Sequence, residues 1–276
     1  MKHINFFAAC AVVLATAGLA ACSQSGDTQG AALAFDTYTG CSSYTMVGSA
    51  KDFEQDSDLV YMDSVSLILP LKMEGCDLQA VRDTICSYAL GITGRPIVQS
   101  INTWMANMAK DQSYPTEKYK GTDGPDIAQG YDVVNGFLTN LTPELMVYCL
   151  RTDSYMAGAA HGMSIRRYIN FSIEGAGKVI TLTDLFTPAG IEQLPNAIAE
   201  QAQAMSDQIG ATTVSSLPEN GNFYISSEGE IVFSYQPYEI ASYSQGTIDI
   251  PFYPYELVNY MTPYAIDLFG LGDLNE

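Results

Sequence analysis

The chain has 276 residues, long enough for one large domain or two small halves with a sizeable core. It carries 31 acidic against 12 basic side chains, a net charge of −19, and a field of that sign repels nucleic acid and anionic lipid headgroups and favours basic partners. It holds only two histidines, so once the extreme N-terminus is set aside a zinc site built on two or three histidines is excluded.

The first 22 residues, "MKHINFFAACAVVLATAGLAAC", have one cation, Lys2, an apolar stretch from Phe6 to Leu19, and then small residues. That pattern is a secretory signal. It ends Leu19-Ala20-Ala21-Cys22, which resembles a bacterial lipobox. The resemblance implies cleavage before Cys22 and lipid on its sulfur. Residues 1–21 are then a lipoprotein signal peptide. Residues 22–37, which include the polar "SQSGDTQG", are a lipidated flexible tether. The folded part is expected in the cell envelope, outside the cytoplasm, held to a bacterial membrane by the lipid alone.

After the tether, Cys41 to Lys51 is expected to form a strand with Tyr44 and Met46 on one face. From Leu59 to Leu71, Val65, Leu67 and Leu69 alternate with Ser64, Ser66 and Ile68, a second strand. Leu78, Val81, Ile85, Tyr88 and Ala89 recur at helical spacing behind Asp77, a candidate N-cap, and Gly91 and Gly94 end that helix. Pro96 opens a second helix, with Ile97, Ile101, Trp104, Met105 and Met108 as its buried stripe. Residues 111 to 130 are polar and rich in Gly and Pro, a long surface loop.

Strands follow at Tyr131 to Leu138, Leu145 to Tyr155 and Ser164 to Ile173, with a tight connection at Glu174 to Gly177. Ile191 to Gln208 is expected to be helical, with Pro195 near its first turn. Phe223 to Ser226 and Ile231 to Tyr235 flank a short hairpin turn. Thr247 to Phe252 is a further strand, and a short helix around Tyr255 to Tyr260 closes the core. Strands come in runs, which points to an α+β fold with mostly antiparallel sheet and helices packed on one face. Residues 38–140 and 141–270 form two halves of one compact unit.

Cys41, Cys76, Cys86 and Cys149 remain in the mature chain, an even number in an oxidising compartment, so at least one disulfide is expected. If Cys76 opens the helix that carries Cys86, ten residues of rise separate them by ~15 Å. A disulfide tolerates at most ~7 Å between Cα atoms, which disfavours that pair.

No CxxC, G-x-S-x-G, S-x-x-K, Walker loop or helix-opening G-x-G-x-x-G is present. "DFEQDSD", residues 52 to 58, lacks the glycine of an EF-hand loop. We therefore expect no catalytic residue, metal or cofactor. A triad of His161 with a Ser and an Asp, and carboxylate pairs for glycoside hydrolysis, stay open as chemistry.

His161 lies in Gly158-Ala159-Ala160-His161-Gly162. Asn170 follows, then Gly177-Lys178-Val179-Ile180-Thr181-Leu182-Thr183-Asp184-Leu185-Phe186. Phe223, Gly229, Phe233, Tyr235, "YEIASYSQG" at Tyr238 to Gly246, and Ile250-Pro251 complete the set. Together, over about residues 145 to 260, these resemble the RsiV-type extracytoplasmic domain; Ala159 replaces the second glycine of that family's GGAHG. Residues 40 to 140 are similar in order of elements to the companion domain that usually precedes it.

The resemblance implies a binding module. Such domains form the outer part of lysozyme-sensing anti-sigma factors and sit beside catalytic domains in peptidoglycan deacetylases. With a lipobox in place of a transmembrane helix, and no residues left for a catalytic domain, this chain is expected to be the tethered binding part. Its partner would be a basic protein such as lysozyme, bound as decoy, inhibitor or sensor. A cell-wall glycan-active enzyme working through carboxylates and a structural envelope lipoprotein are the alternatives.

The expected binding residues are Gly158, His161, Gly162, Tyr238, Glu239 and Tyr243. Gly158 and Gly162 are expected to supply backbone angles closed to other residues. His161 is expected first to tie its loop by hydrogen bonds, and second to touch the partner.

Overall fold

A computed structural model describes residues 34–46, 59–73, 75–108, 129–155 and 159–272. The leader, Cys22, "DFEQDSD", Gly158 and most of the 111–130 loop lie outside the described residues.

One six-stranded sheet runs through both halves of the chain. Its order follows the sequence: β1 (Ala34–Met46), β2 (Leu59–Lys72), β3 (Gln129–Leu141), β4 (Leu145–Tyr155), β5 (Met163–Ser172) and β6 (Lys178–Ile180). Every neighbouring pair is antiparallel except β2 and β3, which run parallel. A parallel pair needs a crossover, and α1 (Leu78–Leu90) and α2 (Ile97–Met108) supply it. Asp77 caps α1 as expected, accepting from the amides of Gln79 and Ala80, and Gly91 ends it at φ 67°.

The helix-facing core contains Val65, Leu67 and Leu69 of β2, Val81 and Ile85 of α1, and Ile101, Trp104 and Met105 of α2. Tyr88 departs from the expected α1 stripe. It is exposed, and the guanidinium of Arg167 lies over its ring at 3.9 Å, while Cys86 and Leu90 take the buried positions.

The two cores share β4, whose residues Leu145 to Leu150 are all buried. Met146, Tyr148 and Leu150 face the helices, whereas Leu145 and Val147 join a second core on the opposite face. That is the period-two alternation of a strand covered on both sides. The second core is built from a three-stranded antiparallel sheet, β7 (Phe223–Ile225), β8 (Ile231–Tyr235) and β9 (Ile248–Phe252), and from α4 (Pro188–Ala204). Between β6 and α4 lies one turn of helix, α3 (Leu182–Leu185), and after α4 comes another, α5 (Ser206–Ile209). A 3-10 turn at Pro254–Tyr260 and α6 (Pro263–Leu268) close the fold. No helix among the described residues is long and apolar enough to cross a membrane.

Three asparagines stitch the sheets together, and Asn140 of β3 donates to the carbonyls of Ile225, at 3.2 Å, and Ser226, at 2.8 Å. Asn222 accepts from the Tyr168 amide at 2.9 Å and donates to the carbonyls of Arg166, at 3.0 Å, and Ser234, at 2.9 Å. Asn170 donates to the Phe223 carbonyl at 2.9 Å and accepts from the Ile225 amide at 3.1 Å. Each primary amide therefore stands in for a strand neighbour and satisfies backbone groups at a seam where the ladder is interrupted.

Three expectations need correction. Strand β1 starts at Ala34, within the expected 22–37 tether, and Phe35 and Tyr38 pack against the helix-facing core. Pro188, not Pro195, is the first-turn proline of α4. Its N-cap is Thr187, whose hydroxyl accepts from the Gly190 amide at 3.0 Å, and Pro195 sits inside the helix. All four cysteines are free. Cys86 lies on α1 and Tyr148 faces the helix core, so the next residue of β4, Cys149, points through the sheet to the other side. The sheet thus separates the two buried thiols.

Candidate functional site

β4 ends at Tyr155 and β5 begins at Met163, and His161 sits in the connection between them. Its ring is exposed, yet both nitrogens are engaged. Nδ1 is 2.9 Å from the Gly162 carbonyl oxygen and Nε2 is 3.1 Å from the Tyr238 hydroxyl. A carbonyl only accepts, so Nδ1 carries the proton, and in the neutral ring Nε2 accepts from Tyr238. The Tyr243 hydroxyl donates to the same Gly162 carbonyl at 2.7 Å. The rings of His161 and Tyr243 stack with centroids 3.7 Å apart and planes 17° from parallel.

Gly162 serves through space and not through backbone angle, contrary to the expectation. Its φ is not among the positive values. A Cβ there would lie 2.8 Å from the carbonyl oxygen of Ser154 and 3.4 Å from the Tyr131 hydroxyl. The loop passes so close to β4 that only glycine fits without a shift.

Tyr238 is the strained member. It stands at φ 74° behind Pro237, and the Glu239 amide donates to the Gln236 carbonyl at 3.1 Å. This is the pattern of a type II turn with a tyrosine where glycine is the usual residue. The turn is pinned from both sides. Gln236 accepts from the Arg166 amide at 2.7 Å, and Glu239 accepts from the amides of Gln236, at 2.9 Å, and Glu219, at 3.0 Å. Glu239 was expected to contact a partner; its two oxygens instead hold backbone, which makes it the clasp of the turn. Tyr238 itself remains 58% exposed.

Tyr243 opens a 3-10 turn, Tyr243–Gln245, closed by a capping box between Ser242 and Gln245. Gln245 ties that turn back to the carbonyls of Ile209, at 2.7 Å, and Ala211, at 3.2 Å. The structure thus brings His161, Gly162, Tyr238, Glu239 and Tyr243 together from positions about eighty residues apart in sequence.

Two further aromatics extend the patch and were missed from sequence. Tyr131, third residue of β3, lies opposite Tyr155, which closes β4, and their rings are 6.0 Å apart. The signal was present as one aromatic at each matching strand end, but only the β3–β4 register shows that they meet. The result is a surface of five rings on rigid turns and strand ends. His161 is bonded to a carbonyl and a phenol, so a Ser–His–Asp triad is not assembled on this ring. Among the described residues no group of three His, Cys, Asp or Glu is placed to hold a metal ion.

Residues 183–256 match a family model described as a protein of unknown function, DUF3298. No curated protein matches the chain. Among solved structures, a DUF3298 family member from Bacteroides fragilis aligns with a TM-score of 0.62 at 18% identity, over 86% of this chain and 96% of that one. A DUF3298 family protein from Pseudomonas aeruginosa aligns with a TM-score of 0.52 at 16% identity, over 83% and 95% of the two chains. The C-terminal part is similar in sequence to this family, and the likeness in fold extends over most of the chain.

Proposed function

We propose that this is a lipid-anchored envelope binding module of RsiV type, whose five-ring surface docks onto a basic protein of the lysozyme class. The DUF3298 match covers much of the stretch that carries the RsiV resemblance and is compatible with it. The observation that carries the reading is Tyr238, held at φ 74° by a pinned turn and still 58% exposed. The strained residue bonds His161 through its hydroxyl yet leaves most of its ring in solvent, and strained residues on over-determined loops concentrate at functional sites. Rigid tyrosines give large contact area at low entropy cost. The net charge of −19 would attract a basic partner.

The test is calorimetry and stopped-flow binding of the purified full-length chain with a c-type lysozyme. A complex should form at micromolar concentrations. Its on-rate should fall with salt, because the Debye length shrinks from ~10 Å at 0.1 M to ~3 Å at 1 M. Tyr238→Ala should weaken it at least tenfold, as for an aromatic anchor worth about 1.4 kcal/mol or more. A folded protein that forms no complex at low salt removes the muramidase from the reading. The anchor is tested separately. Cys22→Ala should release the protein from membranes after a carbonate wash, and retention would remove the lipid tether.

A further inference from the structure

Among the described residues one arginine, Arg151, has an ion pair, with Asp153 at 2.9 Å. Arg82 and Arg95 donate to the Pro70 carbonyl and the Thr103 hydroxyl. Arg167 differs by its contact with a ring. Among the described residues its guanidinium has no ion pair and no hydrogen bond, and its Cζ lies over the Tyr88 ring, 3.9 Å from the centroid. The attraction to the ring quadrupole takes up no hydrogen-bond acceptor. The N–H donors therefore stay available to a ligand.

Arg167 and Tyr88 form one wall of a cavity of about 230 Å³. The opposite side is built by the β6–α3 connection, which brings Val179, Leu182 and Thr183, and by Asn220. Asn220 stands at φ 57° and Gly221 at φ 62°, which curls the 3-10 turn at Glu219–Gly221 onto Leu182. The cavity thus combines a held cation and a primary amide with two half-buried aliphatic side chains. It shares no residue with the His161 surface.

We propose that this pocket binds a small ligand with one carboxylate and a short apolar part, the carboxylate taken in two parallel hydrogen bonds by Arg167. A bidentate fork is the geometry in which guanidinium recognises carboxylate. A single negative charge fits better than a phosphate dianion, for two reasons. The other cation near the β6–α3 connection, Lys178, is committed to Asp184 at 2.8 Å, and the chain as a whole repels added negative charge. The volume lies below the ~300–1,000 Å³ of pockets that take drug-sized ligands, so the ligand is short.

The experiment titrates N-acetylalanine, its amide and inorganic phosphate into the purified full-length chain at matched ionic strength, followed by NMR or calorimetry. Saturable binding of the acid is expected, with the amide and phosphate each at least about tenfold weaker, as for loss of one charge-assisted hydrogen bond. Arg167→Gln should lose about tenfold or more at an unchanged melting temperature, and Tyr88→Leu should lose severalfold by freeing the guanidinium. The proposal is overturned if the acid does not saturate, if the amide binds as tightly as the acid, if phosphate binds more tightly, or if a folded Arg167→Gln binds like the parent. None of these readouts involves lysozyme.

Discussion

His161 and Tyr243 share a single acceptor, the Gly162 carbonyl, while their rings stack at 3.7 Å. The arrangement is a tie between the β4–β5 connection and the turn after β8. Because His161 is exposed, its removal leaves no buried group stranded, and Gly162 keeps the Tyr243 hydroxyl. His161→Ala should therefore cost about 1–2 kcal/mol, the sum of a net hydrogen bond and a ring contact. The double variant with Tyr243→Phe should cost less than the sum of the two singles, since they lean on one another. Urea unfolding of the four proteins measures this. Additive losses would mean that the two side chains act separately.

The asparagine seam should be more sensitive than this tie. Asn222 serves the Tyr168 amide and the carbonyls of Arg166 and Ser234, and it is 7% exposed. Asn222→Ala strands these backbone groups where water has little access, at about 1–3 kcal/mol for each group left unpaired. A loss of about 3 kcal/mol or more is expected in denaturant unfolding. Asn222→Asp should be at least as damaging, because a carboxylate would face two carbonyl oxygens. A loss under about 1 kcal/mol for Ala would show that water or a local shift replaces the stitch.

Legibility in sequence followed how local each cause is. Asp77, Gly91 and the Val65–Leu67–Leu69 alternation act within a turn or a strand, and their elements were recoverable from sequence. Pro195 was misplaced because a helix interior proline and a first-turn proline look alike until the cap, Thr187, is known. Tyr88 on α1 has the spacing of a core residue but meets an arginine from β5. The disulfide expectation failed because the compartment argument cannot say that Cys86 and Cys149 lie on opposite sides of β4. Within the candidate site, His161 stood out by rarity. The left-handed Tyr238 did not, since Pro-Tyr carries none of the signal that Pro-Gly would give a type II turn.

The buried thiols make stability pH-dependent. Burial pushes Cys86 up to about 11, with Asp83 adding to the rise, and pushes Cys149 up to about 11 as well, both from an ordinary 9.0. Burial also raises Tyr168, Tyr224 and Tyr235. Groups whose pKa is higher when folded hold protons that the unfolded chain gives up. The contribution of the thiols is complete below pH 9 and is lost as pH rises toward 11, and that of the phenols starts to be lost only above pH 10. The melting temperature should fall across that window. Cys149→Ala should flatten the fall, whatever its own cost at neutral pH. At pH 8, Cys86 and Cys149 should resist alkylation in the native state while the exposed Cys41 reacts. A flat profile from pH 9 to 11 would contradict the burial of these groups.

Strain at Tyr238 separates backbone cost from side-chain use. An L-residue in the left-handed region costs roughly 1–2 kcal/mol, which glycine does not. Alanine keeps that cost and loses the phenol, whereas glycine loses both. Tyr238→Gly should therefore be more stable than Tyr238→Ala by about 1 kcal/mol, a reversal of the usual order of these two residues. The turn would survive in both, because Gln236 and Glu239 still hold it through the amides of Arg166, Gln236 and Glu219. Both variants should lose partner binding alike, since the lost element is the exposed ring bonded to His161. Thermal unfolding and lysozyme calorimetry on the same pair of proteins read the two effects independently. If glycine proved less stable than alanine, Tyr238 would not be paying a conformational cost. If the glycine variant bound lysozyme as the parent does, the ring would have no part in recognition.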